Sequence, residues 1–208
     1  MGLYTKNGLY NGYDKKNKER EALDYYATPT EEVENILETL NIDLNNLTIL
    51  EPCAGGGHMV KGIENYCKNN NYTPKKIIKT DIVNRGCEKC LCGPEYDFFS
   101  DDYPYDKADV IIMNPPYSCI EGFMIRALEI APIVIMLGRT QTLEGKDRYA
   151  NVFKENPPTE IYQYVDRINC WKNGEKPKTS SAQAYAWYVW NRNLQYKGAT
   201  WLKWIRRK

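Results

Sequence analysis

The sequence predicts an α/β fold, a doubly wound, mostly parallel sheet of seven strands with helices on both faces. Three observations carry that expectation. Short apolar runs rich in β-branched residues, such as Val110-Ile111-Ile112-Met113, recur without polar alternation, as in strands buried on both faces. Segments of helical spacing lie between several of these runs. The first four strands also end in residues suited to a ligand, Glu51, Asp81, Asp97 and Asn114, at the carboxyl edge where open α/β sheets bind. A chain of 208 residues fits one such domain with modest insertions.

Residues 1–20 are Gly-, Asn-, Tyr- and Lys-rich without a period, which predicts a flexible basic arm ahead of a main domain over residues 21–192. Thr30 is a candidate helix N-cap. Glu31, Glu32 and Glu34 suit the positive end of that helix, and Val33, Ile36, Leu37 and Leu40 repeat at helical spacing. Leu47–Glu51 reads as the first strand, followed by Pro52-Cys53-Ala54-Gly55-Gly56-Gly57 and a helix from His58 to about Asn69. Glycines there let backbone approach a nucleotide-like ligand. The turn matches neither Gly-x-x-x-x-Gly-Lys-Ser/Thr nor Gly-x-Gly-x-x-Gly, which argues against a phosphate cradle for ATP or NAD.

The second strand, Lys76–Val83, places Asp81 where a carboxylate accepts from a ribose diol, unless it caps a turn. Glu95–Phe99 reads as a third strand whose acid and rings suit an adenine or, equally, the core. The fourth strand ends in Asn114-Pro115-Pro116-Tyr117. Its prolines remove backbone donors, so the ladder stops and an amide and an aromatic ring are delivered to the sheet edge. A helix over Cys119–Ala131 and a fifth strand, Pro132–Gly138, follow. A polar loop then leads to a short helix from about Lys146 to Glu155, a sixth strand over Glu160–Val165, a polar loop at 166–181 and a last aromatic strand, Ala182–Trp190.

Twenty-eight basic and 27 acidic residues leave a net charge of +1, so no overall field announces a polyanionic partner. The distribution is uneven: residues 21–51 hold no Lys or Arg, whereas the tail at 193–208 holds Lys197, Lys203, Arg206, Arg207 and Lys208 beside Trp201 and Trp204. That tail either follows phosphates with its indoles stacking, or is a solvated terminus. No run of 18 apolar residues or apolar signal core occurs, and the cysteines number seven, which together predict a soluble cytoplasmic protein with reduced thiols and no membrane partner. Cys87, Cys90 and Cys92 share one loop but lack a fourth ligand, so free thiols and no metal are expected.

Four pieces in order, Tyr25-Tyr26-Ala27-Thr28-Pro29, Glu51 to Gly57, Asp97-Phe98-Phe99 and Asn114-Pro115-Pro116-Tyr117, resemble the class I S-adenosylmethionine-dependent amino-methyltransferases, most closely the small phage-type DNA adenine-N6 methyltransferases. Leu143-Glu144-Gly145-Lys146-Asp147-Arg148 and the stretch Thr179 to Trp190 are also similar to that group, and the match spans roughly residues 24–191. The resemblance implies a Rossmann-like sheet with its last strand antiparallel. It implies S-adenosylmethionine as cofactor, double-stranded DNA as partner, a link to restriction–modification, and a bacterial or phage-infected host cytoplasm.

The residue roles follow from the same resemblance. Tyr26, Thr28 and Pro29 would hold the methionine end of the cofactor. Glu51, Pro52, Cys53, Ala54, Gly55 and Gly57 would wrap its amino acid and sulfonium region, with Asp81 and Ile82 at the ribose, Asp97 and Phe98 at the adenine, and Asn114 also against the cofactor. Asn114 and the Pro115 carbonyl would accept from the target amino group, Pro116 would stiffen the turn, and Tyr117 would stack on the extruded base. Loops 139–159 and 166–181 are the candidate recognition elements, with Arg139, Lys146, Arg148, Arg167, Lys172, Lys176 and Lys178 as nucleic-acid contacts. The same Asn-Pro-Pro-Tyr suits an RNA adenine or a protein glutamine amide. A cofactor-binding module without catalysis is a further alternative.

Overall fold

The computed structural model describes residues 25–178, 183–194 and 199–208. The expected arm at 1–20, the Thr179–Ala182 part of the aromatic motif and Lys197 lie outside the described residues. In chain order the elements are β1 (Tyr26–Ala27), α1 (Thr30–Leu40), β2 (Thr48–Glu51), α2 (His58–Asn70), β3 (Lys76–Asp81), β4 (Leu91–Cys92) and β5 (Val110–Met113). They continue with α3 (Ile120–Ile130), β6 (Ile133–Arg139), α4 (Lys146–Arg148), a π turn (Tyr149–Phe153), β7 (Glu160–Tyr164), β8 (Trp171–Lys172), β9 (Tyr185–Asn191) and β10 (Trp201–Ile205).

The main sheet runs β10-β7-β9-β6-β5-β2-β3-β4. Every pairing is parallel except those of β9, which lies antiparallel to both β6 and β7. This is the doubly wound, mostly parallel architecture with one antiparallel strand that the sequence predicts. Strand pleating divides the core in two. Val110 and Ile112 of β5, with Tyr185, Trp187 and Val189 of β9, face α1 and α2. Ile111 and Met113, with Ala186, Tyr188 and Trp190, face α3. The polar tips of the buried rings are satisfied, since Trp187 Nε1 donates to Tyr164 Oη at 2.9 Å and Trp190 Nε1 to the Asn156 carbonyl at 2.9 Å.

The main sheet has eight strands rather than seven, and the changes have local causes. Glu95–Phe99 is not a strand: Pro94 opens a 3-10 turn over Pro94–Tyr96, and Asp97 Oδ1 accepts from Phe99 N at 3.0 Å. Proline and Asx-turn chemistry thus override the apolar content. The edge position beside β3 is taken by Leu91–Cys92 instead. The tail is also not free, because Trp201–Ile205 pairs in parallel with β7. Three of its basic residues reach carboxylates: Lys203 to Glu160 at 2.6 Å, Lys208 to Glu38 at 2.7 Å and Arg206 to Asp166 at 3.7 Å.

Thr30 does not cap α1. It is the first helical residue, after Pro29, and its hydroxyl donates to the His58 carbonyl at 3.5 Å. Glu32 turns inward and is buried, with Asn35 Nδ2 donating to it at 3.3 Å. Among the described residues no helix is long and apolar enough to cross a membrane. All seven cysteines are free of disulfides.

Candidate active site

Strand β2 ends at Glu51, and the chain then turns sharply towards α2. The turn is held from β3: Ala54 N donates to the Thr80 carbonyl at 3.0 Å and Gly55 N to Asp81 Oδ2 at 2.8 Å. Asp81 Oδ1 accepts from Val83 N at 2.8 Å, so this one carboxylate ties the glycine turn to the end of β3. Gly55 and Gly57 have φ of +53° and +85°. A Cβ would lie 2.7 Å from the Tyr25 ring at the first and 2.9 Å from Cys87 Sγ at the second, so both conformation and space require glycine.

Two acids face this turn in dry surroundings. Glu51 is 1% exposed, and its Oε1 accepts from Cys53 N at 3.0 Å and Cys53 Sγ at 3.2 Å. Burial pushes its carboxyl up to about 8, so at neutral pH it holds its proton. Burial also raises Asp81, against the opposing pull of its backbone donors and Arg85.

At the end of β5 the prolines stop the ladder as expected, and Asn114 is gripped from β1. Its Nδ2 donates to the Tyr26 carbonyl at 2.8 Å and to Thr28 Oγ1 at 3.1 Å. Its Oδ1 accepts from the Tyr117 hydroxyl at 3.3 Å, with a lone pair left for another donor. Tyr117 lies between Tyr26 and Tyr185, with ring centroids 6.0 and 6.2 Å away. The Arg139 guanidinium lies 4.3 Å over the Tyr117 ring. Burial pushes the Tyr117 hydroxyl well above its ordinary range, and the nearby Cys170 thiol to about 12.

One cavity of about 570 Å³ joins these parts. It is walled by the strand-end acids Glu51 and Asp81, by Asp97, and by Asn114, Pro115, Pro116 and Tyr117. Tyr26, Thr28, Pro52, Cys53, Ala54, Ile82 and Phe98 also line it. Gly55 and Gly57 shape the turn from behind, and Pro29 starts α1 rather than lining the cavity. Phe98 is 1% exposed and stacks on Phe123 at 5.1 Å, so most of the ring belongs to the core.

Of the basic candidates only Arg139 reaches the cavity. Arg148 folds its own loop, donating from Nε to the Thr142 carbonyl at 2.8 Å and from Nη2 to the Glu144 carbonyl. Lys172 sits on β8, Lys176 lies 5.9 Å over Trp171, and Lys146, Arg167 and Lys178 are exposed outside the cavity.

Several cavity residues were given no role from the sequence. Arg85 lies 5.0 Å over the Tyr25 ring. His58 meets Trp171 edge-on at 5.5 Å, and Cys119, Phe99 and Phe123 complete the wall. Tyr25 and Phe99 stand in two of the motifs, which offered a hint for those residues but none for Arg85, His58, Cys119 or Phe123. The small ribbon of β1 and β8, paired Tyr26 to Lys172 and Ala27 to Trp171, brings part of the 166–178 loop against the glycine turn.

No protein-family model matches the sequence, and no curated protein matches it. Solved structures do resemble its fold. A class I S-adenosylmethionine-dependent methyltransferase, provisionally named as such, from Listeria monocytogenes aligns with a TM-score of 0.61 at 12% identity, over 86% of this chain and 65% of its own. A type I restriction-modification system methyltransferase subunit from Streptococcus thermophilus aligns with a TM-score of 0.61 at 11% identity, over 83% of this chain and 46% of its own. A protein of Pyrococcus horikoshii, provisionally named an RNA methyltransferase, gives 0.56 at 14% identity, over 84% and 97%. The fold is therefore the Rossmann-like fold of class I methyltransferases. The chain spans about half the length of the Streptococcus subunit.

Proposed function

We propose that the protein transfers a methyl group from S-adenosylmethionine to the exocyclic N6 amino group of adenine in double-stranded DNA. The observation that carries this reading is a single cavity in which the glycine turn and its acids meet Asn114, Pro115 and Tyr117. The fit to the cofactor rests on the donor set. Glu51, Asp81 and Asp97 offer acceptors for ammonium, ribose and amino hydrogens, the glycine turn lets backbone come close, and the cavity volume lies in the range of small-molecule sites. When bound, S-adenosylmethionine supplies an electrophilic methyl group on a sulfonium.

The chain's own residues prepare the nucleophile. An adenine amino nitrogen is weak because its lone pair is delocalised into the ring. Asn114 Oδ1 and the Pro115 carbonyl accept its two hydrogens, draw it towards tetrahedral geometry and free the lone pair. The prolines hold both acceptors before the target arrives, so little reorganisation is left for the reaction. Tyr117 covers the extruded base, since a base inside the duplex is out of reach. Exposed Lys146, Arg167, Lys172, Lys176 and Lys178 are proposed phosphate contacts, with Arg139 reserved for the cavity.

The test is purified protein with labelled cofactor and unmethylated duplex DNA of varied sequence, the products digested and searched for N6-methyladenine. Methyl incorporation into RNA adenine or a protein glutamine instead would keep the chemistry and change the substrate. The Pyrococcus neighbour's name gives the RNA arm its place in that assay. Cofactor binding without transfer to any of the three would leave the non-catalytic reading.

A further inference from the structure

Resting on that reading, we infer that Thr28 is a positioning residue that holds the Asn114 carboxamide in the orientation the Tyr26 carbonyl dictates. The resemblance assigns Thr28 to the methionine end of the cofactor, but its hydroxyl oxygen lies 3.1 Å from Asn114 Nδ2 and accepts from it. The Tyr26 carbonyl, 2.8 Å from the same nitrogen, can only accept. An amide oxygen turned towards it would set two acceptors against each other. The carbonyl therefore selects the orientation with nitrogen towards β1 and oxygen towards Tyr117, whose hydroxyl donates to that oxygen at 3.3 Å, and the Thr28 hydroxyl, which could serve either orientation, adds a second bond that holds the selected one.

The consequence is chemical. With the amide reversed, Asn114 would present donors to a target amino group that itself only donates, and the site would keep the Pro115 carbonyl as its single acceptor for that nitrogen's hydrogens. Orientation is thus a condition of activity, and it is secured by residues 86 and 88 positions earlier in the chain. Thr28 is 2% exposed, and a hydrogen bond at so buried a site is stronger than one in open solvent. β1 is itself held: Tyr26 pairs with Lys172 and Ala27 with Trp171 on β8, and Asn173 N donates to the Tyr25 carbonyl at 2.9 Å. Asn114 is accordingly placed by the end of β5 and oriented from β1 and Thr28.

Thr28→Val keeps the shape and removes the acceptor, and Thr28→Ser keeps the acceptor. With S-adenosylmethionine and duplex DNA, Thr28→Val is expected to lower kcat by roughly five- to ten-fold, the effect of one lost hydrogen bond, while KM for DNA and calorimetric cofactor affinity stay within about two-fold. Thr28→Ser restores kcat to within about two-fold. In nitrogen-15 spectra the Asn114 side-chain amide, identified by its loss in Asn114→Ala, should show faster proton exchange in Thr28→Val only. Weaker cofactor binding with unchanged kcat at saturating cofactor would assign Thr28 to the cofactor and overturn the inference, as would an unchanged amide signal. If the wild-type protein methylates nothing, the proposed function fails by itself, and the amide spectra of the three proteins still decide the role of Thr28.

Discussion

The Arg139 guanidinium lies 4.3 Å over the Tyr117 ring, so one face of the aromatic side chain proposed to cover a target base already carries a cation. Among the described residues, Arg139 Nε is buried without a hydrogen-bond partner. A buried donor left unpaired costs about 1–3 kcal/mol, a cost a bound target with an acceptor would relieve. Arg139→Ala should therefore raise KM for the nucleic acid by roughly ten-fold and leave thermal stability unchanged or improved. Arg139→Lys should not rescue it, because an ammonium cannot spread over the ring as a guanidinium does. A lower melting temperature with unchanged KM would show that Arg139 only packs.

Asn114→Ala should stop the proposed transfer while leaving the cavity intact. The variant removes the proposed acceptor of the target amino group but none of the bonds that fold the glycine turn, which run between Ala54, Gly55, Thr80, Asp81 and Val83. We expect a fall in kcat of about two orders of magnitude or more with cofactor affinity retained, the size seen when a preorganised electrostatic group is deleted. Single-turnover transfer and equilibrium binding on the same preparation measure the two quantities separately.

The parts of this site differ in how legible they were. The ends of β2, β3 and β5 could be read directly because buried parallel strands show as apolar runs, and proline marks the stop of two of them, at Pro52 and at Pro115 and Pro116. Local turn chemistry hid the rest. Pro94 and the Asp97 side chain turn an aromatic run into a 3-10 turn, and β10 mixes Trp201, Leu202, Lys203 and Trp204 in a pattern that reads as a basic tail until β7 is beside it. The β1–β8 ribbon has two residues per strand and joins distant segments, so no period betrays it. The grip on Asn114 follows from that ribbon and was invisible for the same reason.

Glu51 should make stability fall as pH rises. Its carboxyl is pushed by burial from an ordinary value near 4.5 to about 8, so the folded chain keeps a proton that the unfolded chain releases in that window. The stabilisation is fully present below the unfolded value and is lost as pH climbs to about 8. One retained proton gives a slope of up to about 1.4 kcal/mol per pH unit. Glu51→Gln imitates the protonated acid and keeps an acceptor for Cys53 N, so its denaturation midpoints should vary less between acidic and mildly alkaline buffers. Parallel slopes for the two proteins would mean that other groups control the pH response.

Asp81 should matter to the cofactor through the backbone as well as through direct contact. Its two oxygens accept from Gly55 N at 2.8 Å and Val83 N at 2.8 Å, and an asparagine could satisfy only one of those donors while turning its NH₂ against the other. Asp81→Ala and Asp81→Asn are therefore both expected to loosen the glycine turn. Losing two bonds to a carboxylate predicts a stability loss of about 3 kcal/mol for alanine, together with weaker S-adenosylmethionine binding. Chemical denaturation and calorimetric titration distinguish the routes. If asparagine preserves stability yet loses cofactor affinity, direct ribose contact dominates; if both fall together, the carboxylate acts by holding Gly55 where the ligand must approach.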